Sequence, residues 1–119
     1  MRTIVFYHGH CPDGFGGAYS AWKKFGDSAE YIGLRHGSVP EEDVTGADVY
    51  FIDFSFPKEI MDTFVAAAAS VTVLDHHEGV RDVVESMPKY VFDSDRSGAT
   101  IAWSFFHPDT KIPTLLTHI

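Results

Sequence analysis

Cysteine is almost absent from this chain: one residue, Cys11, among 119. No internal disulfide can form, which points to a reducing compartment and an expected cytoplasmic location. Cations are scarce too. Nine Lys plus Arg stand against seventeen Asp plus Glu, a formal charge of −8. That argues against an extended duplex nucleic acid as partner and leaves room for a small phosphorylated one. Apolar runs are short. None approaches the roughly twenty residues of a membrane span. The opening "MRTIVFYHGH" reaches histidines too soon for a signal peptide. The sequence carries no internal repeat, low-complexity tract or clear interdomain linker.

What is present suits one domain over residues 1–119. Hydrophobic residues make up 45%, and ten Phe with five Tyr can fill a core without disulfide staples. The β-branched and aromatic runs "TIVFY" (3–7), "AEYIGL" (29–34), "DVYFID" (48–53) and "SVTVLD" (70–75) predict strands. "KYVFD" (89–93) predicts a shorter one. Helical spacing of Ala18, Ala21, Trp22 and Phe25 predicts a helix over 17–25, after a glycine-rich turn. Pro57 suits the first turn of a helix running to about Ala69. Further helices are expected over 81–87 and 97–106, with Ser97 as a cap. A short helical turn is expected near Glu41 to Val44. Strands alternating with helices predict an α/β fold with a mostly parallel sheet flanked by helices. The continuous apolar run before Asp75 suits a central strand buried on both faces.

In such sheets ligands gather at the carboxyl ends of strands. The expected strands end in chemistry-bearing residues. The first runs into His8, His10 and Asp13; the third ends at Asp53; the fourth ends at Asp75, followed by His76 and His77. Asp53 alone reads as a turn residue, and His36, His107 and His118 read as solvated or satisfied side chains. Two adjacent imidazoles beside a carboxylate at a buried strand end have no packing purpose. Mixed imidazole and carboxylate ligands suit manganese, zinc or iron. A bridging Asp75 with one ligating His would leave the other His free to hold a phosphoryl oxygen or to donate a proton. Two metals about 3.5–4 Å apart orient a hydroxide and stabilise charge at phosphorus. The glycines of "PDGFGG", Gly14 among them, can bring N–H groups to an anion. In "DRSGAT", Arg96, Ser97 and Gly98 offer a second phosphate contact. Cys11 reads as a spacer, lacking a base and an orienting group.

"YHGHCPDGFGGAYSAW", "VYFIDFSF", "VLDHHEG" and "FDSDRSGATIAW" resemble, in that order, the motifs of the DHH phosphoesterase superfamily, in its exopolyphosphatase-related branch. The resemblance spans residues 4 to 106. It implies a parallel α/β catalytic domain and a divalent metal centre, usually manganese with magnesium or another divalent ion as substitutes, and two ions in a complete enzyme. It implies hydrolysis of phosphoester or phosphoanhydride bonds in polyphosphate, nucleotides or short oligonucleotides. By position, His8 and Asp13 match first-motif ligands, with His10 an alternative to His8. Asp53 matches the second-motif ligand, Asp75 the bridging carboxylate, His76 a ligand, and His77 a phosphate-contacting or acid residue. Two departures stand out. Phe15 occupies a place where many relatives carry a second Asp, which thins one metal site. Relatives also continue past the segment resembling "IPTLLTHI" into an acidic stretch and a smaller substrate-binding domain, so the chain reads as the truncated catalytic part of such an enzyme. A non-catalytic metal- or nucleotide-binding module is the alternative.

Overall fold

The computed structural model describes residues 2–9, 12–35, 40 and 43–117. His10, Cys11, His36, Glu41, Glu42 and His118 lie outside the described residues, and with them the alternative first-motif ligand and the start of the turn expected at 41–44. Five parallel strands form one sheet: β1 (Thr3–His8), β2 (Ala29–Leu34), β3 (Asp48–Ile52), β4 (Ser70–Asp75) and β5 (Lys89–Phe92). Their order is β2-β1-β3-β4-β5. Parallel neighbours need crossover connections. These are supplied by α1 (Pro12–Phe25), α2 (Lys58–Ala67) and α3 (Arg81–Glu85). The helices α4 (Gly98–Phe106) and α5 (Thr114–Thr117) follow β5.

Strand alternation explains why helices cover both faces. Ile4, Phe6, Val49, Phe51, Val71 and Val73 point to one face, where they meet Met61 and Phe64 of α2 and Val84 of α3. Val5, Ile52 and Leu74 point to the other, against Ala21 of α1 and Ile101, Ala102 and Phe106 of α4. The expectation that β4 is buried on both faces is met: Val71 through Asp75 are all buried. Among the described residues no helix is long and apolar enough to cross a membrane.

The largest departure from the sequence reading is α1. It begins at Pro12, five residues earlier than expected, and takes "PDGFGG" into the helix. Gly14, Gly16 and Gly17 are buried there. These glycines bring the helix down onto the sheet instead of forming an anion-cradling turn. The remaining elements differ by a residue or two at their ends. Pro57 caps α2 from outside, and Ser97 caps α4, its Oγ accepting from the Thr100 N–H. His107 is the satisfied residue expected: its Nε2 lies 2.9 Å from the Ser20 carbonyl oxygen, and its ring lies 4.1 Å from that of Trp103.

Phe51 is fully buried and its ring neighbours those of Phe6, Phe54, Phe56 and Phe64. Truncating it leaves a cavity that so many rings cannot collapse into. Phe51→Ala should lower stability by about 3–5 kcal/mol. Urea unfolding should show a lower midpoint and an unchanged slope.

Candidate metal centre

The order β2-β1-β3-β4-β5 reverses direction between β1 and β3, so a crevice opens at the carboxyl ends of those strands. His8 closes β1, Asp53 follows β3, and Asp75 closes β4. Three segments distant in sequence therefore deliver polar side chains to one rim. Asp53 has a φ of +71°, in the left-handed region that Asp tolerates better than most residues. Its N–H still continues the ladder, donating to the Leu74 carbonyl at 2.9 Å. The backbone thus turns sharply at the residue that carries the carboxylate. Strain of this kind is held where surrounding contacts fix it.

Asp53, Asp75, His76 and His77 each offer one ligand atom, and those atoms lie within 4.8 Å of one another. Asp75 is fully buried. Its Oδ1 accepts from the His76 N–H at 2.7 Å, the His77 N–H at 3.3 Å and His77 Nδ1 at 2.7 Å. An ionised carboxylate can only accept, so Nδ1 of His77 carries the proton. Among the described residues Asp75 Oδ2 is buried with no hydrogen-bond partner. A buried carboxylate oxygen left this way is costly. A cation on that oxygen would remove the cost, and neighbouring imidazole and carboxylate donors suit a divalent ion. The residues present therefore fit the expected metal.

His76 Nε2 lies 2.9 Å from Asp53 Oδ1 and 3.0 Å from Asp13 Oδ2, which links the first, second and third motif segments. His8 is more loosely attached, with Nδ1 3.8 Å from Asp53 Oδ2. Asp13 has a second task. Its Oδ2 accepts from the Gly98 N–H and its Oδ1 from the Ala99 N–H, both at 2.8 Å. The carboxylate therefore sits on the first N–H groups of α4, where the helix dipole favours it. No local pattern reveals this, since the partners are 85 and 86 positions apart.

The residues expected at a substrate phosphate have other partners here. The N–H of Gly98 goes to Asp13. A Cβ at Gly98 would lie 2.7 Å from Asp53 Oδ1, and one at Gly14 would overlap the His8 carbonyl oxygen. Both glycines allow close approach of a helix to the site. Ser97 Oγ is engaged with Thr100. Arg96 Nη2 donates to the Thr100 carbonyl at 2.9 Å and to Ser104 Oγ at 2.6 Å. Phe15, where the DHH resemblance leads one to expect a second Asp, is 68% exposed on α1.

A cavity of about 530 Å³ opens beside the cluster, with His8, Asp53, Asp75 and His77 in its lining. Ser55 also lines it, and the Ser55 Oγ is buried without a hydrogen-bond partner among the described residues. Sequence reasoning passed over the "FSFP" segment that contributes this wall. The available signal was its place immediately after β3, at the carboxyl end of the sheet.

Burial pushes the Asp53 carboxyl up from 3.8 to about 6. The neighbouring Asp13 carboxylate adds to the rise by repulsion and by a shared hydrogen bond, while His76 opposes it.

No family model matches the chain. An uncharacterized protein of Acanthamoeba polyphaga mimivirus is 29% identical over 133 residues, covering 98% of this chain and 32% of that protein. The crystal structure of an uncharacterized protein from Helicobacter pylori superposes with a TM-score of 0.74 at 16% identity, over 94% of this chain and 38% of that one. At that identity the superposition speaks for the fold alone. The chain spans about a third of the length of each of these proteins.

The raised Asp53 value has a signed consequence. The folded chain holds this proton more tightly than the unfolded chain. The resulting stability is fully present below pH 4 and is lost as pH rises through about 6. The loss in metal-free protein should be on the order of 3 kcal/mol. Asp53→Asn keeps a residue type that tolerates positive φ and should remove most of this dependence. Urea midpoints at pH 4.5 and 7.5, with EDTA, check it: the variant should gain on the native chain at the higher pH.

Proposed function

We propose that this chain is a divalent-metal-dependent phosphohydrolase domain of the DHH type, acting on a phosphorylated small molecule or short oligonucleotide in a cytoplasmic setting. The observation that carries the proposal is the convergence of Asp53, Asp75, His76 and His77 at the carboxyl ends of two adjacent strands. The order of these residues along the chain, and the parallel sheet beneath them, agree with the motif resemblance.

Asp53, Asp75 and His76 would hold the ion, manganese by the resemblance. When bound it supplies Lewis acidity toward a phosphoryl oxygen and lowers the pKa of water. The protein's own contribution is orientation and proton transfer. Hydrolysis joins a water oxygen to phosphorus and breaks the bond to the leaving oxygen, which must take up a proton. His77 suits the donor role. Its side chain is 51% exposed, so substrate can reach it, and Asp75 holds Nδ1. Among the described residues Nε2 has no hydrogen-bond partner, so it can take up a proton from water and, as the imidazolium, pass that proton to the leaving oxygen while Nδ1–H stays on Asp75. The buried Asp75 fixes the tautomer and orientation of that ring, as second partners of catalytic imidazoles do.

A second ion has thinner support. Asp13 is committed to the start of α4, and His8 stands 3.8 Å from Asp53. With the exposed Phe15, these features favour the alternative of a metal-binding module without turnover.

Manganese titration and hydrolysis of bis(para-nitrophenyl) phosphate separate the two readings. The native chain should bind manganese and turn the ester over. Asp75→Asn should weaken manganese binding by about 10- to 100-fold with the circular dichroism spectrum unchanged. His77→Gln should keep manganese affinity while lowering kcat by about 10²–10⁴-fold. Manganese binding with no turnover by the native chain would favour the module. Turnover unaffected by Asp75→Asn would overturn the proposed centre.

A further inference from the structure

The cavity beside the cluster carries information about what the substrate looks like. One end is polar, formed by His8, Asp53, Asp75 and His77. The rest is carbon. Leu34 closes β2, Phe54, Phe56 and Pro57 come from the segment between β3 and α2, Ile60 from the first turn of α2, and Val80 from the segment before α3. Arg35 is the one Lys or Arg among the described lining residues. At about 530 Å³ the space exceeds what a lone phosphate needs and falls in the range of small-molecule sites.

Two features give the cavity a direction. The two buried side-chain polar atoms that lack partners among the described residues are Asp75 Oδ2 and Ser55 Oγ, and both residues line this space. The first belongs to the proposed metal centre. The second lies in the chain between Phe54 and Phe56, whose rings meet edge to face at 5.3 Å. A largely apolar wall ending in the Asp and His cluster suits a flat, carbon-rich body. It does not suit a second or third phosphoryl group. A polyphosphate carries a charge on every unit and needs a row of cations or N–H donors to replace its water. One arginine and six apolar residues cannot supply that.

We propose, resting on the phosphohydrolase reading above, that this cavity selects phosphate esters whose alcohol half is an uncharged ring system, and disfavours inorganic polyphosphate. The scissile phosphoryl group sits at the Asp and His end. The ring lies along Phe54, Phe56 and Ile60. When the ester is cleaved, the bond between phosphorus and the ring-bearing oxygen breaks, water supplies the new oxygen, and the alcohol leaves with a proton.

The test is binding first and turnover second. Calorimetric titration in manganese buffer compares 1-naphthylmethylphosphonate, methylphosphonate and tripolyphosphate. The naphthyl compound should bind about tenfold or more tightly than methylphosphonate, from burial of the ring alone, and more tightly than tripolyphosphate. Ile60→Ala, which adds no charge beside the phosphonate, should cut that preference severalfold, with manganese affinity and the circular dichroism spectrum as controls. Equal affinity for the two phosphonates, a preference that Ile60→Ala leaves undiminished, or tighter binding of tripolyphosphate would overturn the inference. A naphthyl preference without hydrolysis of 1-naphthyl phosphate would support the cavity assignment and count against the phosphohydrolase reading, so the two failures are separable.

Discussion

Three carboxylates are brought together at one rim of an apolar sheet, and each must be compensated. Asp13 is 14% exposed at its side chain, Asp53 1% and Asp75 0%. Asp13 is met by the first N–H groups of α4. Asp53 is met by His76, yet still holds its proton up to about pH 6. Asp75 is met on one oxygen by two backbone N–H groups and the His77 ring, while its other oxygen has no hydrogen-bond partner among the described residues. Stability alone would favour apolar side chains at such positions. The proposed divalent ion would give this concentration of buried negative charge a purpose.

The surrounding architecture follows from that constraint. Asp53 adopts a positive φ to turn its carboxylate toward the crevice. Gly98 must lack a side chain so that α4 can begin against Asp53, and Gly14 must lack one so that α1 can begin against His8. Asp13 then ties these two helix starts together. The two cores on opposite faces of the sheet hold the strand ends in register. The site is thus assembled from backbone turns and helix starts fixed by the fold, a placement that gives side chains little freedom to wander.

Much of this was legible in the sequence because the relevant signals are local. The unbroken apolar run of β4 marked a central strand, and its exit into Asp75, His76 and His77 marked the rim. Asp53 became informative once the alternation of strands and helices implied a parallel sheet. What was not legible is non-local. The glycines of "PDGFGG" look like a turn in isolation, and tertiary packing draws them into α1. Asp13, Ser97 and Gly98 read as ligand or phosphate contacts, yet they are partly occupied in fixing α4. Arg96 reads as a phosphate fork and instead braces Thr100 and Ser104. The aromatic wall of the cavity was hidden because nothing local in "FSFP" says which way Phe54 and Phe56 face.

The central claim is that the buried Asp and His cluster is a metal centre. Diffraction from crystals grown with manganese, measured at the manganese absorption edge, tests it directly. The account predicts an anomalous peak within bonding distance of Asp53, Asp75 and His76, with Asp75 Oδ2 among the ligands. Well-ordered Asp75 and His76 side chains with no peak between them at saturating manganese would contradict it.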